Sequence, residues 1–147
     1  MADVAHTFLL KEGLWRVEGE FLDGTGKATA VQGEAQIRHD PDQWLYEGTL
    51  RAATRPPTEQ RTVYAIQPLA PGNFATPWTS KSASFGTLTG RFLIVGDVIL
   101  SAYESATGRY RGQDTMIRRD DKRYSARGAM LDGGKIISAW RIELSQA

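Results

Sequence analysis

Asp114 lies on the mainly apolar side of an alternating segment, YRGQDTM (Tyr110 to Met116), sharing a face with Tyr110, Gly112 and Met116. A carboxylate buried there without a partner is costly. Asp114 is therefore expected either to be neutral, with a raised pKa, or to be paired with an arginine or a tyrosine. The structural alternatives are a position at a wetted mouth, or a bulge after Gly112 that turns it outward. If the chain is an enzyme, Asp114 and Tyr110 are the candidate catalytic residues, moving a proton inside an apolar cavity where burial tunes the carboxyl group.

Other chemistries lack their residues. There is no cysteine, and the two histidines, His6 and His39, do not form a metal-binding pair. His39, at a strand end, reads as a solvated residue rather than as a ligand or base. No serine stands in a nucleophile-elbow context, and the glycines follow neither dinucleotide nor phosphate-loop spacing. Triad hydrolysis, zinc chemistry and nucleotide-dependent transfer are disfavoured, and neither a metal nor a cofactor is expected.

Six glycines interrupt segments that otherwise read as strands: Gly19, Gly33, Gly48, Gly90, Gly112 and Gly128. Each shares its side of the alternation with mostly apolar residues, while the other side is mostly charged. Glycine weakens a strand, so six at matching places need a cause, and sharp bending of a sheet that closes on itself supplies one. Turn signals at Asp23–Gly26, Asp40–Asp42, Thr54–Gln60, Pro71–Asn73, Gly96–Asp97, Thr107–Gly108, Asp120–Asp121 and Asp132–Gly134 separate about ten short strands. The expected fold is all-β: an antiparallel up-and-down barrel of about ten strands forming one domain over residues 1–147, with a short helical turn before Gly13. A two-sheet sandwich is the alternative.

The glycine parity, with burial preference in the remaining strands, points all four tryptophans and all five tyrosines inward. Trp44, Tyr46, Tyr64, Trp78, Phe92, Ser101, Tyr103, Tyr110, Asp114, Tyr124 and Trp140 are the candidate ligand-binding residues. They describe a cavity for a planar or aliphatic amphiphile, gripped by ring faces and oriented by a few polar groups. A filled core is the competing outcome, although about ten strands enclose more volume than one layer of side chains fills.

Charge is unevenly distributed within a net of +1. Residues 1–50 carry four Lys or Arg against nine Asp or Glu, and residues 51–147 carry fourteen against eight. The basic segment Arg109 to Arg127 is read as the counterpart of the acidic outer face of the first three strands across the barrel closure. A hairpin recognising an anionic partner is the alternative; nucleic acid is not expected, because no exposed aromatic accompanies the charges. No apolar run is long enough for a membrane helix and no secretory signal is evident, so the expectation is a cytoplasmic monomer or homodimer.

Gly13-Leu14-Trp15, opening the first strand, resembles the Gly-x-Trp start of lipocalins and intracellular fatty-acid-binding proteins. About ten strands is more similar to the fatty-acid-binding or nitrobindin type than to the eight-stranded lipocalin. The resemblance implies a calycin-like barrel in which Trp15 plugs one end and a late basic residue, Arg141, packs against it. The family features that would imply a particular ligand are missing: Asp23 to Gly26 is too short for a two-helix lid, no Arg-x-Tyr carboxylate clamp is clear, and no late histidine matches a haem ligand. The sequence thus favours a small-molecule-binding barrel over a calycin-type enzyme, and both over an interaction module.

Overall fold

The computed structural model describes residues 5–147. Ten strands follow one another: β1 (Gly13–Asp23), β2 (Ala28–His39), β3 (Trp44–Ala52), β4 (Thr58–Ile66), β5 (Ala75–Ser82), β6 (Gly86–Val95), β7 (Val98–Ser105), β8 (Tyr110–Asp120), β9 (Arg123–Asp132) and β10 (Lys135–Gln146). Every strand pairs antiparallel with its sequence neighbours, and β1 pairs with β10, closing an up-and-down barrel without an edge. The turns fall at the expected places, except that the polar loop after β3 gives up its last residues, from Thr58, to β4. No bulge interrupts β8 between Gly112 and Asp114, so Asp114 keeps its inward parity.

The helical turn expected before Gly13 does not form. Phe8 and Leu9 are both fully buried, and Leu9 takes a left-handed φ of 70°, which a right-handed helical turn does not admit. The backbone kinks instead, with the Leu10 N–H bonded to the Phe8 carbonyl at 2.8 Å.

The glycines divide into two kinds. A Cβ on Gly19 or Gly33 would run into backbone of the adjacent strand, at Arg141–Ile142 or Thr49–Leu50 respectively. Here the missing side chain permits the close approach and curvature read from the sequence. Gly90, Gly112 and Gly128 have an additional role: a Cβ on each would strike the ring of Trp78, Tyr103 or Trp140 respectively. At these positions the glycine opens a path for a large ring to lie across the neighbouring strand.

The outer wall carries ion pairs, among them Arg109–Asp132, Arg111–Glu104, Arg123–Asp120 and Arg127–Glu143. Arg141, outside the basic segment, pairs with Glu20 across the β1–β10 closure, whereas the ion pairs of Arg109 to Arg127 reach carboxylates on β7 to β10 and the β8–β9 turn and not on the first three strands. Such exposed pairs contribute little stability. No helix among the described residues is long and apolar enough to cross a membrane.

Candidate functional site

The two ends of the barrel differ. At one end the segment before β1 folds under the strands as a plug. Trp15 is fully buried and meets Phe8 and Tyr124 edge-on, with ring centroids 5.4 and 5.6 Å away. Ile37, Ile66 and Ile99 complete the seal.

Hydrogen bonds tie the plug to nearby turns. The Thr7 hydroxyl donates to the Asp121 carbonyl, and His39 Nε2–H donates to the Leu9 carbonyl at 2.8 Å. His6 Nε2 lies 2.8 Å from the Gly96 carbonyl, which can only accept, so that nitrogen carries the proton. His6 Nδ1 therefore accepts from the Tyr124 hydroxyl at 2.7 Å, whose oxygen in turn accepts from the Thr7 N–H at 3.2 Å.

Toward the other end, the inward-facing residues Phe21, Tyr46, Leu50, Tyr64, Tyr103, Asp114 and Trp140 are only half-buried. The same inward face that is sealed at the plug thus becomes a water-accessible cup. Its wall on β3 to β7 is a run of rings: Tyr46 stacks on Tyr64 at 5.1 Å, Tyr64 on Trp78 at 4.5 Å, and Trp78 tilts against Phe92 and Tyr103 at 5.9 and 5.4 Å. Phe21 and Trp140 face each other at 6.1 Å on β1 and β10.

Glycine spacing positions the polar centre of the cup. Trp140 on β10 is paired with Gly128 on β9, which is paired with Asp114 on β8. With no side chain at Gly128, the Trp140 ring crosses β9 and its indole N–H donates to Asp114 Oδ1 at 3.1 Å. A similar path serves Trp78. It lies over Gly90 on β6 and donates its N–H to Ser101 Oγ on β7 at 3.0 Å. Ser101 and Asp114 are cross-strand partners, so the two tryptophans reach adjacent acceptors from opposite directions.

Asp114 is hemmed in by protein atoms but keeps a water-accessible edge. Burial pushes its carboxyl up to about 6, against the opposing pull of the Trp140 indole and the Thr115 backbone N–H. Burial, and then the Asp114 charge, raise the Tyr46 and Tyr103 hydroxyls. Tyr64 is raised by burial, by Tyr46 and Tyr103, and by Asp114. These three tyrosines thus lie within electrostatic reach of the carboxyl group. Among the described residues none of their hydroxyls is hydrogen-bonded to protein, in contrast to Tyr124.

The structure redistributes several sequence-predicted roles. Tyr46, Tyr64, Trp78, Phe92, Ser101, Tyr103, Asp114 and Trp140 come together around the cup. Tyr124 belongs to the plug, where its hydroxyl is fully engaged, and Trp44 stacks on His39 at 3.9 Å near the sealed end. Tyr110 lies at the mouth, packed on Phe85 with the Arg109 guanidinium 4.9 Å from its ring. It is four residues from Asp114 on one strand, about 13 Å away, so the two do not form a catalytic pair. Trp15 is fully buried at the sealed end, but Arg141 does not pack against it: Arg141 points outward to Glu20, and the buried Trp15 indole N–H has no partner among the described residues.

Sequence reasoning missed the plug residues His6, Phe8 and Leu9, together with Phe21 and Phe85. Phe21 was visible in its shared parity with Trp15 and Gly19; the plug has no periodic signal. Two external depressions lie away from the cup, one on the outer face of β2–β4 beside Glu34, Glu47 and Arg61, the other around Glu18, Glu20, Arg51 and Arg141. The first is lined mainly by charged and polar side chains, while the second mixes them with Ala30, Val31, Ala52, Ala53 and Pro57. Among the described residues no group of three or more His, Cys, Asp or Glu could hold a metal ion.

A closed antiparallel barrel with a tryptophan at its sealed end and a ring-lined cup at the other defines a calycin-like, lipocalin-type fold. No protein-family model and no curated protein matches the chain. Among solved structures it is similar to the S-type phycobiliprotein lyase CPES from Guillardia theta, with a TM-score of 0.68 at 7% identity over 94% of this chain and 89% of that one. At that identity the likeness establishes the fold alone. Two others, a candidate AttH protein from Nitrosomonas europaea (TM-score 0.31, 11% identity, 90% of this chain and 49% of that one) and the dehydratase domain from the CurJ module of curacin polyketide synthase (0.27, 8%, 90% and 76%), are too distant in geometry to inform the argument.

Proposed function

We propose that this protein binds a planar, mostly apolar small molecule in the cup, with Asp114 as its polar anchor. The observation that carries this reading is the contrast along one inward face. At the sealed end Phe8, Leu9, Trp15 and Tyr124 are dry and the Tyr124 hydroxyl is engaged, whereas in the cup three half-buried tyrosines carry hydroxyls without a partner among the described residues, beside a half-buried carboxyl group inside a ring-lined wall. Rings supply large contact area at small entropic cost, and a few convergent polar groups fix orientation, which is the composition of a ligand pocket. The phycobiliprotein lyase lends the reading only a precedent for the fold.

Native mass spectrometry of the purified protein tests this directly. A retained small molecule, lost when Trp140 is replaced by alanine in a barrel that still folds, is the expected result. Retention unchanged in Trp140→Ala would place the ligand elsewhere.

The second reading, an enzyme of the same architecture, draws on one observation: a carboxyl group near 6 within electrostatic reach of Tyr46, Tyr64 and Tyr103 is suited to moving a proton at neutral pH. Turnover of a bound aromatic compound, with a pH profile that collapses in Asp114→Asn, would distinguish it from carriage. Tyr103, rather than Tyr110, would be the accompanying hydroxyl, because it flanks Asp114.

A further inference from the structure

We infer that the cup selects an organic cation: a planar framework bearing a protonated amine or amidine that docks on Asp114 among the ring faces. This deepens the binding reading above and rests on it. The argument starts from what surrounds the carboxylate. Its hydrogen-bond partner among the described residues is a neutral donor, the Trp140 indole N–H, and the only other pull on the charge, from the Thr115 backbone N–H, is neutral too. Neutral hydrogen bonds leave the charge itself uncompensated in a site with restricted access to water.

The inward-facing groups on every neighbouring strand are neutral. β3 presents Tyr46, β4 Tyr64, β7 Ser101 and Tyr103, β9 Ala126 and Gly128, and β10 Trp140. On β8 itself, Tyr110 lies at the mouth and Arg118 is engaged by Asp121 and the Ala5 carbonyl at the plug end. Arg111 and Arg127, flanking Asp114 on β8 and β9, turn outward to Glu104 and Glu143. The described residues therefore supply no counter-ion to Asp114.

The rings add a second, independent preference. Trp and Tyr faces carry negative electrostatic potential, which attracts a cation and repels an anion. The cup combines such faces, from Tyr46, Tyr64, Trp78, Tyr103 and Trp140, with one uncompensated carboxylate. A carboxylate or sulfonate ligand would meet repulsion from both features. A neutral ligand would gain the stacking yet leave Asp114 unpaired, whereas a cation satisfies both.

Three planar probes of similar size separate the terms: 9-aminoacridine as the cation, acridine as the neutral form and 9-anthracenecarboxylate as the anion. Each is titrated at neutral pH by quenching of tryptophan fluorescence. The expected order is cation, neutral, anion, with a gap of about tenfold or more between the first two. Asp114→Asn should close that gap while acridine still binds. In the unmutated protein the cation's affinity should likewise fall as pH drops below the carboxyl's midpoint near 6, with the 9-aminoacridine charge unchanged. This second readout does not depend on how the variant folds. Equal affinity for cation and neutral probe, insensitive to Asp114 and to pH, would overturn the cation preference and leave the cup as a binding site. Failure of all three probes to bind would overturn both.

Discussion

The plug and the cup are built from the same residue types on the same inward face, yet they solve opposite problems. Around Trp15 the rings of Phe8 and Tyr124 meet it edge to face and are buried with it, and the Tyr124 hydroxyl serves as both donor and acceptor within a network that holds the chain's entry to the barrel. Around Asp114 the rings lie more nearly parallel, their hydroxyls are unengaged, and a carboxyl group is held above its ordinary range. The difference teaches that aromatic content alone says little about function. What separates core from site is whether the polar tips of the rings have partners.

Substitution should expose this contrast most strongly at the plug. Trp15→Ala removes the largest buried ring at the sealed end and is expected to cost about 3–5 kcal/mol, read as a lowered midpoint in denaturant unfolding. Loss of only a hydroxyl should show the asymmetry more sharply. Tyr124→Phe strands His6 Nδ1 and the Thr7 N–H and should cost about 1–3 kcal/mol, whereas Tyr64→Phe strands nothing. Equal costs for the two would mean the cup is as structurally committed as the plug.

Asp114→Asn should move stability the other way. Because the folded state raises this carboxyl above its unfolded value, the native chain holds the proton more tightly, and ionisation destabilises the fold as pH rises from about 4 to about 6. The variant should therefore be more stable than the parent at neutral pH by about 1–2 kcal/mol, since partial contact with water limits the penalty. That gain should shrink as pH falls through 6 and vanish near 4. A variant less stable than the parent at neutral pH would show that Asp114 is a structural partner of Trp140 rather than an anchor held at a cost. The smallest effect is expected for Tyr64→Phe, within about 0.5 kcal/mol of the parent.

Strand alternation is a local property, so the barrel and the faces of Trp78, Tyr103, Asp114 and Trp140 were readable directly from the sequence. Height along the barrel was not. Parity assigns a face, but only register and strand tilt determine that Tyr103, on a different strand, flanks Asp114 while Tyr110, on the same strand, does not. The same limit hid the Trp140–Asp114 bond, which spans two strand steps and depends on the empty space at Gly128. The plug escaped notice because its buried residues, His6, Phe8 and Leu9, lie in a short irregular segment that repeats neither a strand's nor a helix's spacing for long enough to register. Arg141 was misassigned by analogy, although its own alternation with Trp140 points it outward.

The strands are not laced together evenly. β1 and β2 are joined along ten residue pairs, Gly13 to Leu22 against Ala28 to Ile37, whereas β4 and β5 meet only at Tyr64–Ser80, Ala65–Thr79 and Ile66–Trp78. Below Tyr64 the β5-facing side of β4 has no ladder partner, so thermal breathing of the cylinder is expected to start there, and those amides between Thr58 and Val63 that point away from β3 should exchange with solvent ahead of the rest of the wall. The staves part first beside Tyr64, one of the rings that line the vessel, so a guest of the proposed kind would come and go at the same weak joint where the wall unzips.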